Sequence, residues 1–177
     1  LWENLMPGNY AVQEIPKEGW HNISPLIQPV ELSLGEYPTI EFGNVHLATL
    51  EIYKYYDEND NGMYDEGEPM IEEWGFTVYG PQMEEKYYTD ENGSIVLENL
   101  MPGDYEIVED MYEGWYDTNG TSREFYLEPC HTHELWFGNA EYATMTIYKF
   151  VDDNGNGIMD EGEILYDEPV YFNGEGA

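Results

Sequence analysis

Short segments in which apolar and polar residues alternate run through the whole chain. Between turns rich in Gly, Pro, Asn and Asp, side chains such as Tyr, Ile, Thr and Val recur at every second position. This is the period of a strand with one buried face, and the i, i+3, i+4 spacing of a helix is missing. The predicted strands are 48–56, 74–79, 86–89, 94–97, 105–109, 123–127, 133–137 and 143–151. The pattern predicts an all-β protein, folded as an antiparallel β-sandwich.

The sequence also repeats itself at an offset of 95 residues. Residues 48–68 and 143–163 are identical at 13 of 21 positions, and such a fixed period is the signature of a tandem array. We therefore interpret 1–47 as the back half of one repeat, 48–142 as a complete repeat and 143–177 as the front part of a third. If the partial repeats of adjacent chains complete one another, head-to-tail association would build a filament.

Two acidic loops, 57–68 and 152–163, occupy the same place in successive repeats. Each has oxygen-bearing side chains at loop positions 1, 3, 5, 9 and 12, with Gly at position 6. Calcium needs six to eight oxygen ligands, and this spacing turns alternate side chains inward while position 7 offers its carbonyl. The predicted Ca²⁺ ligands are Asp57, Asn59, Asn61, Met63, Asp65 and Glu68, and in the second loop Asp152, Asn154, Asn156, Ile158, Asp160 and Glu163. Because strands flank both loops, we expect a structural ion rather than a switch.

The charge balance narrows the range of partners. The net charge is −33, with five Lys and Arg against 38 Asp and Glu, which argues against nucleic acid and anionic membrane surfaces. No apolar run approaches the ~20 residues of a membrane span. Millimolar free calcium is found outside cells, so the loops favour an extracellular location at the cell surface.

Two further signals concern modification and metal binding. Asn-X-Ser/Thr triplets begin at Asn22, Asn92 and Asn119, and these are candidate N-glycosylation sites on an exported protein. Cys130, His131 and His133 resemble a transition-metal ligand set, but the matching positions of the earlier copy carry no such ligands. Without a second Cys/His cluster, ordinary strand-edge residues are the expected interpretation.

A lysine falls on a predicted core face. Alternation places Lys54 on the side of Leu50 and Ile52, and Lys149 holds the matching position one repeat later. Burying a lysine is costly unless it is paired or neutralised. Two alternatives stay open: the amine extends to the edge of the sheet, or it meets partners inside, for which Glu109 and Asn139 have suitable parity.

Several motifs together resemble a known family. Besides the loop at 57–68, these are Thr-Asp-Glu-Asn-Gly at 89–93, Leu-Met-Pro-Gly-Asp-Tyr at 100–105 and Phe-Gly-Asn at 137–139. They look like the B-type repeats of serine-aspartate-repeat adhesins and the broader collagen-adhesin B-type, prealbumin-like modules of surface proteins. The resemblance covers 48–142 and both flanks. It implies tandem Ig-like or prealbumin-like β-sandwiches with EF-hand-type calcium loops between strands, no enzymatic activity, and association with neighbouring repeats and other copies of the chain.

The set Lys54, Glu109 and Asn139 resembles the isopeptide-forming triad of pilin and adhesin modules. That resemblance implies attack of a buried lysine amine on the asparagine amide, assisted by a protonated glutamate. Glu14 and Asn44 would then serve a neighbouring module, and Lys149 the next one. The calcium-loop repeats generally rely on the ion, so a module with both devices would be a hybrid.

The sequence therefore predicts a structural extracellular repeat protein that forms a calcium-rigidified stalk, filament or sheath. The alternative is a ligand-binding adhesin module that recognises a glycan or protein through exposed aromatic residues, since the chain has 17 Tyr and 5 Trp and exposed aromatic patches mark binding surfaces.

Overall fold

The computed structural model describes residues 2–81, 83–166 and 170, and the regular elements in these ranges are all β-strands. In chain order the strands are β1 (Gly8–Gln13), β2 (Trp20–Asn22), β3 (Ile27–Leu32), β4 (Asn44–His46), β5 (Ala48–Tyr56), β6 (Gly75–Gly80), β7 (Met83–Tyr88), β8 (Ser94–Leu100), β9 (Gly103–Glu109), β10 (Trp115–Asp117), β11 (Ser122–Leu127) and β12 (Thr132–Glu141). In this described part of the chain, no helix is long and apolar enough to cross a membrane.

Strands β5 to β12 form a complete sandwich. One sheet has the strand order β10-β12-β5-β8, and the other has the order β11-β9-β6-β7. The two sheets meet through a shared apolar core, in which the rings of Phe76 and Phe137 lie 5.0 Å apart. The fully or nearly buried core side chains are Ala48, Leu50, Ile52, Trp74, Phe76, Val78, Ile95, Tyr105, Ile107, Leu127, Leu135 and Phe137. The predicted all-β sandwich is confirmed.

Alternation along β5 sets which side chains enter the core. Leu50, Ile52 and Lys54 are fully buried, as expected for every second residue of a pleated strand. The intervening Tyr53 is half-buried on the outer face. The parity argument therefore placed Lys54 correctly, among the apolar residues of the core.

One strand pair departs from the antiparallel pattern. Strand β12 runs parallel to β5, from Thr132 opposite Thr49 to Asn139 opposite Tyr56, whereas the other strand pairs are antiparallel. Side-chain alternation is the same in parallel and antiparallel strands, so the sequence pattern could not distinguish them. The first and last strands of the module are thus neighbours that point the same way.

Residues 2–47 repeat the back half of this sandwich. Strand β1 pairs with β3, and β2 pairs with β4. At the offset of 95 residues, β2 corresponds to β10 and β3 to β11 with the same bounds. The internal repeat seen in the sequence is therefore also a repeat of secondary structure.

The contact pattern divides the chain into Leu1–Tyr142 and Ala143–Ala177. In the second unit the predicted strand at 143–151 is not regular, and only the isolated bridge between Phe150 and Leu165 forms. Backbone hydrogen bonds from Val151 to Ile164 and from Tyr166 to Lys149 flank this bridge, and a strand needs a longer ladder of such bonds. Part of the predicted third repeat, 167–169 and 171–177, lies outside the described residues, so the repeat boundaries stay predictions.

Gly138 in β12 allows a close approach that a larger residue would prevent. A Cβ at this position would lie 2.5 Å from the ring and hydroxyl of Tyr55. The ring is fully buried and its hydroxyl accepts a hydrogen bond from Asn119, so Tyr55 cannot easily move aside. We expect Gly138→Ala to lower the free energy of unfolding by about 1–3 kcal/mol through overpacking. Urea unfolding measures this, with the exposed Val96→Ala as the control; equal stability of the two variants would contradict the packing described.

Candidate crosslink site and calcium loop

Three polar side chains meet in the core of the complete sandwich. The Nζ atom of Lys54 lies 2.6 Å from Oδ1 of Asn139 and 2.9 Å from Oε1 of Glu109. It also donates to the backbone carbonyl of Phe137, at 3.2 Å. Lys54 and Asn139 are 0% exposed and Glu109 is 5% exposed. The structure thus brings together all three residues of the candidate isopeptide set.

The three residues come from different parts of the sandwich. Lys54 lies on β5 and Asn139 on its parallel neighbour β12, while Glu109 ends β9 in the opposite sheet. Each side chain reaches the interior because alternation places it on the inner face of its strand. The lysine is therefore enclosed between a carboxamide in its own sheet and a carboxylate from the facing sheet.

Aromatic side chains cover this polar site. The Trp74 ring centroid is 4.6 Å from Nζ of Lys54, a distance at which the ring face attracts a cation. Tyr112 and Trp115 each pack edge-on against Trp74, with centroids 4.8 and 5.3 Å away. Met111 adds its sulfur 3.8 Å from Nδ2 of Asn139. These side chains shield the polar site from water.

Burial shifts both charged partners toward their neutral forms. Desolvation lowers the pKa of Lys54 to about 8, although the charge of Glu109 opposes this shift. Desolvation likewise raises the pKa of Glu109 against the opposing effect of Lys54. The Trp74 indole N–H has a small lowering effect on the same carboxylate, although it falls short of regular hydrogen-bond geometry. Both shifts act in the direction of a neutral amine beside a protonated carboxyl.

The partial repeat at residues 2–47 also brings its glutamate and asparagine together, here by a direct hydrogen bond instead of through a lysine. Nδ2 of Asn44 donates to Oε1 of Glu14 at 2.5 Å, and these residues match Asn139 and Glu109 at the offset of 95. Asn22 donates to both of them, at 2.8 Å in each case. In the described ranges, no lysine forms an ion pair with this Glu14. The juxtaposition of glutamate and asparagine is therefore a property of the repeat.

The loop at 57–68 is wound around its first carboxylate. Oδ2 of Asp57 accepts the N–H of Gly62 at 2.7 Å, and Oδ1 accepts the N–H of Asn61 at 3.1 Å. Gly62 has φ = +76°, a left-handed conformation that favours glycine at this turn. Burial alone would raise the pKa of Asp57, but the nearby Thr118 hydroxyl and hydrogen bonds from the loop N–H groups hold it below its ordinary value. Asp57 is thus an ionised, inward-facing carboxylate.

The closing glutamate ties the two ends of the same loop together. Oε1 of Glu68 accepts the N–H of Glu58 at 3.1 Å, and Oε2 accepts the N–H of Asp65 at 2.9 Å. The loop at 152–163 repeats both bonds, from Asp153 and Asp160 to Glu163, at 3.1 and 2.9 Å. Each glutamate side chain therefore reaches back across its own loop, as the predicted twelfth ligand would.

The side chains of both loops fit a hard cation. Nδ2 of Asn59 and of Asn61 each lie 2.7 Å from Oδ2 of Asp65, so both amides already point at the carboxylate from inside the loop. Rotation of each amide by half a turn would replace its N–H₂ by its carbonyl oxygen. Asn154 and Asn156 face Asp160 in the same way. Two amides, two aspartates and one glutamate per loop are oxygen ligands of the kind that Ca²⁺ prefers.

The carboxylates of these loops do not cluster by themselves. Among the described residues, no group of three or more His, Cys, Asp or Glu side chains is arranged to hold a metal ion. Like charges repel, and N–H donors satisfy each loop carboxylate separately. The two predicted calcium sites, including the carbonyls of Met63 and Ile158, therefore remain predictions that the loop geometry supports.

The candidate glycosylation sites differ in their surroundings. Asn92 is exposed in the turn before β8, whereas the amide of Asn22 is hydrogen-bonded to Glu14 and Asn44. The amide of Asn119 is half-buried and contacts three acceptors. Glycosylation at all three stays a prediction, and Asn92 is the one whose amide projects from the surface.

The Cys/His motif and the outer aromatic residues are the remaining candidates from the sequence, and most of their rings pack against one another. Cys130 is exposed, while the ring of His133 stacks on Phe125 with centroids 4.0 Å apart. On the outer face, Tyr53 and Tyr64 stack on Trp136 at 4.3 and 4.8 Å. These aromatic rings cover one another, and the predicted glycan- or protein-binding surface gains no support from them.

Two residues of the site were missed by sequence reasoning. Trp74 was placed at the start of a strand, although its ring covers Lys54. The other is Asn119, which was noted only as a glycosylation candidate. A signal for the aromatic cover did exist, because Trp115 matches Trp20 at the repeat offset, and Trp115 packs against Trp74.

Comparison with known proteins gives weak but consistent likenesses. No protein-family model matches the chain. It is 24% identical over 185 residues to Colossin-A of Dictyostelium discoideum, covering 93% of this chain and 2% of that protein. The Bacillus anthracis TIE protein is similar with a TM-score of 0.47 and 24% identity, over 78% of this chain and 26% of that one. The minor pilin of Streptococcus agalactiae has a TM-score of 0.44 and 15% identity, over 84% and 66% of the two chains.

A shaft pilin of Lactobacillus rhamnosus GG is also similar, with a TM-score of 0.42 and 12% identity, over 78% of this chain and 64% of that one. The chain thus spans a very small part of Colossin-A and about a quarter of the TIE protein. All of these similarities are low, so the functional conclusion depends on the residue geometry described above. That geometry defines a β-sandwich repeat with a buried Lys–Glu–Asn site.

Replacing Lys54 by Met while Glu109 remains leaves a buried carboxylate without its cation. We expect Lys54→Met to be less stable near neutral pH than Lys54→Met/Glu109→Leu by about 2–3 kcal/mol, because protonation relieves only part of the cost of an unpaired buried charge. Burial raises the pKa of Glu109 above its ordinary value of 4.5. The folded state therefore holds a proton that the unfolded state releases, and stability of the single variant falls as pH rises through this window.

Urea unfolding of both variants at mildly acidic and at neutral pH measures this difference. The double variant should lack the slope that Glu109 causes. Equal stabilities and equal slopes would show that Glu109 is not buried as described.

Proposed function

We propose that the chain is part of an extracellular structural protein whose β-sandwich repeats build a cell-surface stalk, filament or sheath. Each complete repeat is closed by an amide bond between Lys54 and Asn139 and is stiffened by a calcium ion in the loop that follows β5. The observation that carries this proposal is the buried contact of the lysine amine with the asparagine amide, 2.6 Å from Nζ to Oδ1, beside a buried carboxyl. A bond between these two side chains would close the module itself, so the role that we propose is structural.

The bond forms by transfer of the asparagine acyl group to the lysine. The neutral amine of Lys54 attacks the side-chain carbonyl carbon of Asn139, while the protonated carboxyl of Glu109 stabilises the developing oxyanion and relays protons. The new C–N bond replaces the bond to Nδ2, which leaves as ammonia with a proton that came from the amine. Lysine and asparagine therefore give one secondary amide and one ammonia, with no change of oxidation state.

The position of the bond suits a protein under tension. It would join β5, the first strand of the repeat, to β12, the last, and these strands are parallel neighbours. Tension applied through the chain ends of a module would otherwise have to be resisted by the backbone ladder between them. A covalent link between the two strands transfers that force directly from one end of the module to the other.

Calcium would act at the same end of β5 as the bond, in the loop that directly follows this strand. The side chains of Asp57, Asn59, Asn61, Asp65 and Glu68 would hold the ion, together with the carbonyl of Met63, and the second loop would use the matching residues. The bound ion offsets the repulsion among the acidic residues of the loop and fixes its path between β5 and β6. Because it binds the folded state, it adds about 2.7 kcal/mol at a hundredfold excess over its dissociation constant.

We extend the proposal to association between repeats, because among the described residues no lysine forms an ion pair with Glu14. Glu14 and Asn44 already lie together at 2.5 Å, and a lysine at the repeat position of Lys54 would complete their site. A neighbouring repeat, or Lys149 of another copy in a head-to-tail filament, would supply such a lysine. The same partial repeat has a groove of about 1090 Å³ lined by residues such as Tyr10, Val30 and Phe42, which further strands would cover.

The crosslink changes the mass of the chain. We expect the protein, analysed by intact mass spectrometry after denaturation, to be lighter than its sequence by about 17 Da for the bond between Lys54 and Asn139, since each bond releases one ammonia. Asn139→Ala should retain the full mass, and Glu109→Ala should accumulate unreacted chain. Glu106→Ala, on the outer face of the same strand, is the matched control. Full mass in the unmodified chain would refute the crosslink.

Calcium binding is tested by a charge-neutral change at the closing ligand. We expect Glu68→Gln to lower the number of bound calcium ions by one in calorimetry, because an amide cannot bind the ion through two anionic oxygens. The rise in thermal midpoint on adding calcium should shrink accordingly, and magnesium should not replace calcium. Glu66→Gln loses the same charge from a non-ligand position and should bind normally; identical behaviour of both variants would contradict the ligand assignment.

A further inference from the structure

The side chain of Asn119 connects the calcium loop with the strand that carries Asn139. Its Nδ2 lies 3.3 Å from the carbonyl of Gly62 at the turn of the loop, and 3.2 Å from the carbonyl of Trp136 in β12. Its Oδ1 accepts the N–H of Gly138 at 3.2 Å. One half-buried carboxamide therefore uses both its donor and its acceptor groups to hold two segments that are far apart in sequence.

The segments joined in this way lie directly beside the crosslink site. Gly138 precedes Asn139, and the backbone carbonyl of Asn139 accepts the N–H of Asp57, the first loop ligand, at 3.0 Å. Thr118, next to Asn119, donates its N–H to the carbonyl of Gly138 at 3.0 Å. The backbone around Asn139 is thus hydrogen-bonded to the start of the loop and, through Asn119, to its turn.

The earlier copy of the repeat separates the two roles of the carboxamide. The residue at the position of Asn119 is Ser24, and its Oγ accepts the N–H of Gly43 at 3.0 Å, just as Asn119 accepts that of Gly138. Serine therefore suffices to hold the glycine of the last strand. The N–H₂ group is what asparagine adds, and it lies within hydrogen-bond distance of the Gly62 carbonyl in the loop as well as of the Tyr55 hydroxyl and the Trp136 carbonyl.

We propose that Asn119 is a positioning residue that couples calcium binding in the loop to the placement of Asn139 against Lys54. The inference rests on the calcium site proposed above. The loop carries six carboxylates in twelve residues, so a bound cation would hold its turn more firmly by offsetting their repulsion. With calcium bound, Gly62 is fixed, Asn119 is held between the loop and β12, and Asn139 is aligned for attack. Calcium thereby accelerates formation of the crosslink.

The coupling is tested on the full chain with calcium chloride or a chelator. Hydrogen exchange of the Gly138 amide reports the strand, and intact mass after cell-free synthesis reports the rate of ammonia loss. In the unmodified chain, calcium should slow exchange at Gly138 and speed ammonia loss, each about tenfold, a coupling of ordinary size. Asn119→Ser, which introduces the residue type of Ser24, should still bind calcium in calorimetry but show neither response. Asn92→Ser, at an exposed asparagine, should respond like the unmodified chain.

The possible failures are distinguishable. If calcium binds but Gly138 exchange is unchanged, or if Asn119→Ser responds fully, the coupling is overturned although the calcium site stands. If calorimetry detects no calcium binding, the site and the coupling fall together. If calcium slows exchange but ammonia is never lost, Asn119 does couple the loop to the strand, and the crosslink alone is refuted.

Discussion

The rest of the structure depends on the burial of the Lys54 amine at the centre of the sandwich, which costs desolvation free energy. Its Nζ lies between Glu109 and Asn139 and under the ring of Trp74. A buried ion pair of this kind repays little of its desolvation cost and is weak evidence of stability by itself. The proposed conversion of the lysine amine into a neutral amide would remove the lysine charge from the core. The same burial that makes the pair costly lowers the pKa of Lys54 to about 8 and so prepares the amine to react.

The rest of the module is arranged around that site. The parallel pairing of β5 and β12 brings the lysine and asparagine side by side, and β9 delivers the carboxyl from the facing sheet. The calcium loop begins within three residues of Lys54 and returns to it, since the N–H of Ile71 donates to the Lys54 carbonyl at 3.0 Å. The proposed ion and the proposed bond would therefore act on the same strand, and each would restrict the backbone that the other needs ordered.

Much of this arrangement could be predicted from local pattern. Alternation along β5 predicted that Lys54 faces the core. The repeat offset of 95 residues showed that Glu109 and Asn139 have identical counterparts in Glu14 and Asn44. Loop spacing identified the inward-facing oxygens from Asp57 to Glu68. These features follow from backbone periodicity, which a single sequence displays directly.

The remaining features depend on contacts between distant segments. Alternation does not distinguish a parallel from an antiparallel neighbour, so the pairing of β12 with β5 was not foreseen. Strand β10 is three residues long, too short for a periodic signal. The proposed role of Asn119 depends on contact between its turn and a loop 57 residues earlier in the chain. The matching residue of the earlier copy is Ser24, so a comparison of the repeats does not single out this position.

The most direct test of the central claim is a high-resolution crystal structure of the protein. The account predicts continuous electron density from Nζ of Lys54 to the side-chain carbonyl carbon of Asn139, at the amide bond length of about 1.3 Å, with no nitrogen left at Nδ2. Density for two separate groups, with Nζ still a hydrogen-bond distance such as 2.6 Å from Oδ1 and the asparagine amide intact, would contradict it.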